Sequence, residues 1–200
     1  GGPAVTGLEY RLLDLGRDLS DAEKQRFADD EANALVGWRH IGVVQLTKQQ
    51  ALDSLATRGI ARRGATPAAG RFPVVLLLGG PAYLSTTAEL IASHGFLVAA
   101  AFRFREQSNE AETSHFAWYF ENSVRDAEWA LDSLREHAAA DLGFVGALGH
   151  GGGGMQALLL VMRNRAIKAL ANVDAGNFSS RSAPNEIPSY SPRLVRVPYL

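Results

Sequence analysis

Cysteine is absent from the 200 residues. That excludes disulfides, thiol catalysis and cysteine-ligated metal together, and it leaves the cellular compartment open. Long apolar runs are missing too: none approaches the roughly 18 residues of a membrane span. The formal net charge is -1 and there is no Lys/Arg run, so no electrostatic footprint for nucleic acid or a membrane surface is present. The scattered His40, His115 and His137 lack the i, i+4 or clustered carboxylate spacing of a metal site. Neither metal nor cofactor is expected. What remains is 46% hydrophobic and 20% charged residues, ordinary for a globular chain and enough for one domain or most of a larger one. The opening Gly1-Gly2-Pro3 has no methionine, as in a processed chain; a removed signal peptide is one route, so secreted or periplasmic placement stands beside cytoplasmic.

Residues 1–70 read as an N-terminal elaboration. The alternation Leu8-Glu9-Tyr10-Arg11-Leu12 predicts an early strand. Ser20-Asp21-Ala22-Glu23 has the form of a capping box, so a helix is expected from Asp21 to about Leu35. Thr47 opens a second helical stretch with Leu52 and Leu55 on one side and Gly59 as its stop. Residues 59–71 are a linker by composition.

From Phe72 the pattern changes. Pro73 to Leu78 is a continuous apolar run, as in a strand covered on both faces of a parallel sheet. Gly79-Gly80-Pro81 predicts a turn, Ser85–Ser93 a helix ending at His94-Gly95, and Phe96–Ala101 a second buried strand. The apolar positions Phe116, Phe120, Val124, Ala127, Leu131 and Leu134 step by 4, 4, 3, 4 and 3 along a helix from about Phe116 to Ala138. Phe144–Leu148 is the third strand, Gly152–Met162 its helix, Ile167–Val173 the fourth strand ending on Asp174, and Val195–Leu200 the start of a fifth. Strands alternating with helices predict an α/β fold, a mostly parallel, doubly wound sheet with helices on both faces. Because the chain stops inside an apparent strand, the C-terminal part of this core over 71–200 is expected to be missing.

The sequence is organised around the third strand, its glycine turn and the helix after it. Gly149-His150-Gly151-Gly152-Gly153 has the frame of a nucleophile elbow, Gly-x-Ser-x-Gly, with glycine in the nucleophile's place. Gly149, Gly151 and Gly154, with Asp174 about 20 residues on, also fit the letters of a dinucleotide fingerprint. That fingerprint usually opens its unit and is followed directly by a helix. Here two strands precede it, and a Ser/Pro/Asn-rich loop follows over 175–192.

Four segments carry a resemblance: Phe72-Pro-Val-Val-Leu-Leu-Leu78, Ile91-Ala-Ser-His-Gly-Phe-Leu-Val-Ala-Ala100, Arg125-Asp-Ala-Glu-Trp-Ala-Leu-Asp-Ser-Leu134 and Val145-Gly-Ala-Leu-Gly-His-Gly-Gly-Gly-Gly154. Over about residues 70–200 the chain resembles the α/β-hydrolases, in the branch of platelet-activating-factor acetylhydrolases and dienelactone-hydrolase-like esterases. The resemblance implies a Gly-His-Ser-x-Gly-Gly turn, which puts the serine at Gly151. It implies an acidic triad member at Asp174 and an oxyanion N–H at Gly152; the histidine–glycine that often follows the first strand in that family reads Leu78-Gly79-Gly80-Pro81 here, and Pro81 offers no N–H. It implies a catalytic histidine after the last strand, beyond Leu200. Gly151 has no side chain with which to attack a carbonyl, and losing a triad nucleophile costs roughly 10⁶-fold in rate in serine proteases.

Other polar residues have plainer readings. His150 belongs to the frame of the turn. His94 reads as a helix cap, Ser85 as a capping or solvated serine that is also the one candidate for a displaced nucleophile, and Glu128, Asp132 and Glu136 as a solvated helix face. Three functional readings stay open. One is a non-catalytic relative of the esterases that binds a small ester or lipid-like molecule. Another is an active carboxylic-ester hydrolase whose nucleophile was replaced at 151 or lies elsewhere. The third is a dinucleotide-binding module.

Overall fold

The computed structural model describes residues 2–13, 17–37, 46–79, 81–101, 114–173 and 187–200, except the side chains at 81–83, 101 and 114–116. His40, Gly80 and Asp174 therefore lie outside the described residues, as does the side chain of His115. The chain divides into two compact units, Gly1–Thr66 and Pro67–Leu200.

In the first unit, β1 (Ala4–Thr6) pairs antiparallel with β2 (Arg58–Arg62). Three helices accompany them: α1 (Gly7–Leu13), α2 (Asp21–Gly37) and α3 (Lys48–Ala56). Two expectations fail here. The stretch predicted as a strand over Leu8–Leu12 is α1. Thr6 and Glu9 form a capping box, with the Thr6 N–H donating to Glu9 Oε2 at 2.7 Å and the Glu9 N–H to Thr6 Oγ1 at 3.2 Å, and this starts a helix at Gly7. Helical spacing then sets Leu8 against the small core of Ala32, Ala51 and Leu55. The stretch read as linker from 59 begins inside β2, because its backbone is used in pairing with β1. Helix α3 accordingly ends at Ala56, before the Gly59 stop.

In the second unit β3 (Phe72–Leu78), β4 (Leu97–Ala101), β5 (Ala140–His150) and β6 (Ile167–Val173) form a parallel sheet in the order β4-β3-β5-β6. Helix α4 (Pro81–Ser93) links β3 to β4, α5 (Ser114–Ser133) leads from β4 back to β5, and α6 (Gly152–Arg163) links β5 to β6. Right-handed crossovers put α4 on one face of the sheet and α5 with α6 on the other. Burial agrees. Val74, Leu76 and Leu78 of β3 join Phe120, Val124, Ala127 and Leu131 of α5 and the apolar residues of α6 in one core. Leu77, pointing the other way, and Leu84 of α4 are buried outside that cluster. Helix α6 is buried from Gly153 through Met162, which is why its sequence is apolar all round.

Boundaries shift for local reasons. Pro81 fits the first turn of a helix, where its missing N–H costs nothing, so α4 starts four residues earlier than expected. Helix α5 ends at Ser133 and tightens into a 3₁₀ turn over Leu134–Glu136. Strand β5 begins at Ala140, but its register slips between Pro73↔Asp141 and Val74↔Val145. The extra residues bulge outward and leave Phe144, expected in a buried strand, 65% exposed. The expected fifth strand is a single parallel bridge, Leu170↔Tyr199. It is supported by the N–H groups of Leu170, Asn172 and Leu200 donating to Pro198, Leu200 and Leu170.

Candidate functional site

The strand order reverses between β3 and β5. From β3 the chain leaves over one face toward β4, and from β5 over the other toward β6. In open α/β sheets ligands bind at the carboxyl ends of the strands flanking such a switch point. Here those ends are Gly79, just past β3, and His150-Gly151, at the end of β5.

Close approach explains three of the glycines. A Cβ on Gly153 would overlap the carbonyl of Leu78, and one on Gly149 would overlap the carbonyl of Gly153. Gly79, at φ 106°, would carry a Cβ 2.7 Å from the His150 oxygen and 3.0 Å from the Cα of Gly153. The first turn of α6 is thus pressed directly onto the ends of β3 and β5, a fit that tolerates no side chain at these positions.

Gly151 and Gly152 differ. Nothing lies within 4 Å of a Cβ built on either. Gly151 is the N-cap of α6, with φ 54° and ψ -123° and no side-chain cap bond. This strand-to-helix turn lies in a backbone region where L side chains are rare and glycine is at ease. A side chain at 151 would project into open space, held by backbone that the surroundings fix. The Gly151 N–H donates to Val173 O at 3.1 Å, and the Gly154 N–H to Gly151 O at 2.9 Å. The first N–H groups of a helix have no intrahelical acceptor and carry its positive dipole end; in α6 those of Gly152 and Gly153 stand beside the open position.

Asn172, near the end of β6, was not anticipated. Its Nδ2 donates to Gly154 O at 3.2 Å and ties the first turn of α6 to the next strand. Its Oδ1 is buried without a partner among the described residues. No local sequence signal marks it, since the contact spans two elements. Gly79 was legible only as one of two turn glycines.

The remaining candidates are scattered. His94 is a cap: its Nδ1 lies 2.8 Å from Leu90 O at the end of α4, and Gly95 follows at φ 88°. Ser85 lies within α4, one turn beyond its start and half-buried. His137 is exposed. Glu128 corrects the expectation of a solvated face: its Oε2 accepts from Arg163 Nη2 at 2.9 Å, while Arg163 Nη1 donates to Glu121 Oε2 at 3.0 Å. Glu121 also accepts the Ser189 N–H at 3.0 Å, so these acids fasten α5 to α6 and to the segment after residue 186. Asp132 pairs with Arg135 in solvent. Glu136 lines an open cavity of about 630 Å³ with Arg71 and His137, at the amino ends of β3 and β5, opposite the switch point. Among the described residues no group of three or more His, Asp or Glu could hold a metal ion, and no helix is long and apolar enough to cross a membrane.

No protein-family model matches the chain, and no curated protein matches it in sequence. Similar solved structures exist. A ferulic acid esterase from Streptomyces cinnamoneus is 21% identical, with a TM-score of 0.50 over 72% of this chain and 45% of that one. Hypothetical protein PA2218 from Pseudomonas aeruginosa is 18% identical, with a TM-score of 0.42 over 56% of this chain and 35% of its own. DcsB, solved in complex with its substrate analogue, is 16% identical, with a TM-score of 0.43 over 52% and 37%. The chain spans less than half the length of each. The likeness to the first is one of fold, and with the sheet order and the turn after β5 it makes this an α/β-hydrolase-like fold.

Proposed function

We propose that this protein belongs to the esterase side of the α/β-hydrolases, near the platelet-activating-factor acetylhydrolase and dienelactone-hydrolase-like branch. In this reading Gly151 occupies the nucleophile position, and the protein binds a small ester or lipid-like molecule without cleaving it. One observation carries the reading: Gly151 has the elbow's backbone, φ 54° and ψ -123°, with open space where a side chain would stand.

The chemistry follows from what that position offers. Acyl transfer needs a hydroxyl at 151 to attack the carbonyl carbon and a base to take its proton; glycine supplies no hydroxyl. The Gly152 N–H and the dipole of α6 still favour a carbonyl oxygen placed against them. Asp174 keeps its proposed role as the acid position after β6. Gly149, Gly153 and Gly79 serve the close packing of the turn. The dinucleotide reading is less well supported, since two of its three glycine letters, Gly149 and Gly151, are accounted for by that packing and by the elbow backbone.

The test is p-nitrophenyl acetate turnover with fluorophosphonate labelling, on the parent and on Gly151→Ser. An inert parent, with turnover and a label at position 151 in the variant, supports the reading. Turnover by the parent overturns it. If both are inert, a thermal shift with triacetin tests binding directly, and its absence would sink the proposal.

A further inference from the structure

Along the buried run of α6, Gly153 to Met162, Gln156 alone has a polar side chain, and it is 5% exposed. A buried amide has to find a partner, and an apolar residue of similar size would serve stability about as well. The partner is on α5: Gln156 Nε2 donates to the Tyr119 hydroxyl at 3.3 Å. Tyr119 is 39% exposed, so a buried amide steadies a phenol that reaches solvent. A phenolic oxygen has one O–H and two lone pairs. Gln156 takes a lone pair, and nothing among the described residues accepts the hydrogen.

Helical spacing places this hydroxyl. Gly152 and Gln156 are four residues apart and Arg163 seven further, so the three share one face of α6. That face is turned to α5, since Arg163 pairs with Glu121 and Glu128 as Gln156 does with Tyr119. Gly152, one turn nearer the helix start, has nothing among the described residues within 4 Å of a Cβ built on it. Side chains on a helix lean toward its N-terminus, so Gln156 holds the Tyr119 oxygen back toward that opening. The Gly152 N–H and the Tyr119 O–H are thus two donors on one side of α6, separated by about one turn, roughly 6 Å. A simple ester has a carbonyl oxygen for the first donor and nothing for the second.

We propose that Tyr119 selects the ligand of the elbow. The site takes an ester with a second acceptor oxygen about one helical turn from the first, as in the diester of a short diol. Tyr119 donates to that second oxygen, and Gln156 is the residue that positions Tyr119. The inference rests on the reading above, in which the elbow holds an ester carbonyl at Gly152.

The probes are ethylene glycol diacetate and pentyl acetate, matched in chain length, of which only the first carries a second ester. An amide-resolved NMR titration of the full chain gives a Kd for each and shows whether the Gly152 N–H responds. Tyr119→Phe keeps the ring and removes only the hydroxyl. It should lower the preference for the diacetate over pentyl acetate about fivefold, the worth of one hydrogen bond. Gln156→Met should lower the same preference by a smaller factor with Tyr119 still present. A merely structural role for either residue would change both affinities alike and leave their ratio as it was. An unchanged ratio in Tyr119→Phe, with the Gly152 N–H responding to both esters, overturns this inference and spares the elbow reading. A Gly152 N–H that responds to neither ester overturns both.

Discussion

Helices begin differently in the two units, and the contrast separates stability from exposed chemistry. In Gly1–Thr66 each described helix starts on a polar residue whose side chain and backbone exchange hydrogen bonds with an acid or amide three residues on. Thr6 does so with Glu9, Ser20 with Glu23 and Thr47 with Gln50. Each capping box satisfies donors that a helix start otherwise leaves open. In Pro67–Leu200 the most deeply buried helix, α6, starts instead on Gly151-Gly152-Gly153-Gly154, with no side-chain cap. Propensity argues against four glycines there. The compensation comes from tertiary packing of the ten buried residues from Gly153 to Met162. A helix started this way keeps N–H groups available to something other than its own chain.

The contrast is broken most severely at Gly153. In Gly153→Ala the new methyl overlaps the Leu78 carbonyl, and α6 must move off the sheet. A loss of about 3 kcal/mol or more, or failure to fold, is expected in denaturant unfolding. The neighbouring Gly152→Ala meets nothing within 4 Å and should be neutral or stabilise by up to about 0.5 kcal/mol. Equal effects at the two positions would refute the packing argument. Gly151→Ser falls between them: its side chain has room, but a non-glycine residue at φ 54° costs about 1–3 kcal/mol. The substitution that tests for hydrolase activity should therefore lower stability, and an unchanged unfolding midpoint would contradict this reading of the turn.

This difference also marks what the sequence could reveal. The second unit was legible because its signals are local and strong. Continuous apolar runs give β3 and β4, and the glycine turn gives the β5–α6 junction. The Ser20 box was equally local, and α2 begins at Asp21 as expected. Thr6-Gly7-Leu8-Glu9 is the same signal, masked by an alternation of apolar and polar residues that also fits a strand. What stayed hidden depends on contacts distant in sequence. Residues 58–62 look like linker until β1 is beside them. Gly79 is one turn glycine among others until β5 lies next to β3. Glu128 is one helical acid among several until Arg163 of α6 reaches it.

Smaller effects sharpen the comparison from the capped side. Thr47→Ala removes the acceptor of the Gln50 N–H and should cost about 1 kcal/mol, seen as faster amide exchange over Lys48–Ala56. The same substitution logic has no counterpart at α6, where there is no cap side chain to remove.

The smallest effect is a pH dependence at Ser20. The Ser20 N–H, then its hydroxyl, then Arg17 hold the Glu23 carboxyl down to about 2 from an ordinary 4.5. A carboxylate depressed in the folded state contributes stability that is fully present above about 4.5 and is lost as pH falls from there toward 2. Because much of the Glu23 side chain faces solvent, 44% exposed, the contribution is small and screened by salt. Glu23→Gln keeps an oxygen that can accept from the Ser20 N–H but cannot titrate. Between pH 4.5 and 2 the parent should therefore lose protection at the start of α2 faster than the variant, and the two should run parallel above pH 5. The Thr47 box, closed by the uncharged Gln50, is the internal control. Its protection should not change through the Glu23 window beyond what the whole unit loses, and a matching decline there would mean that the acid acts on the fold at large and not on its cap.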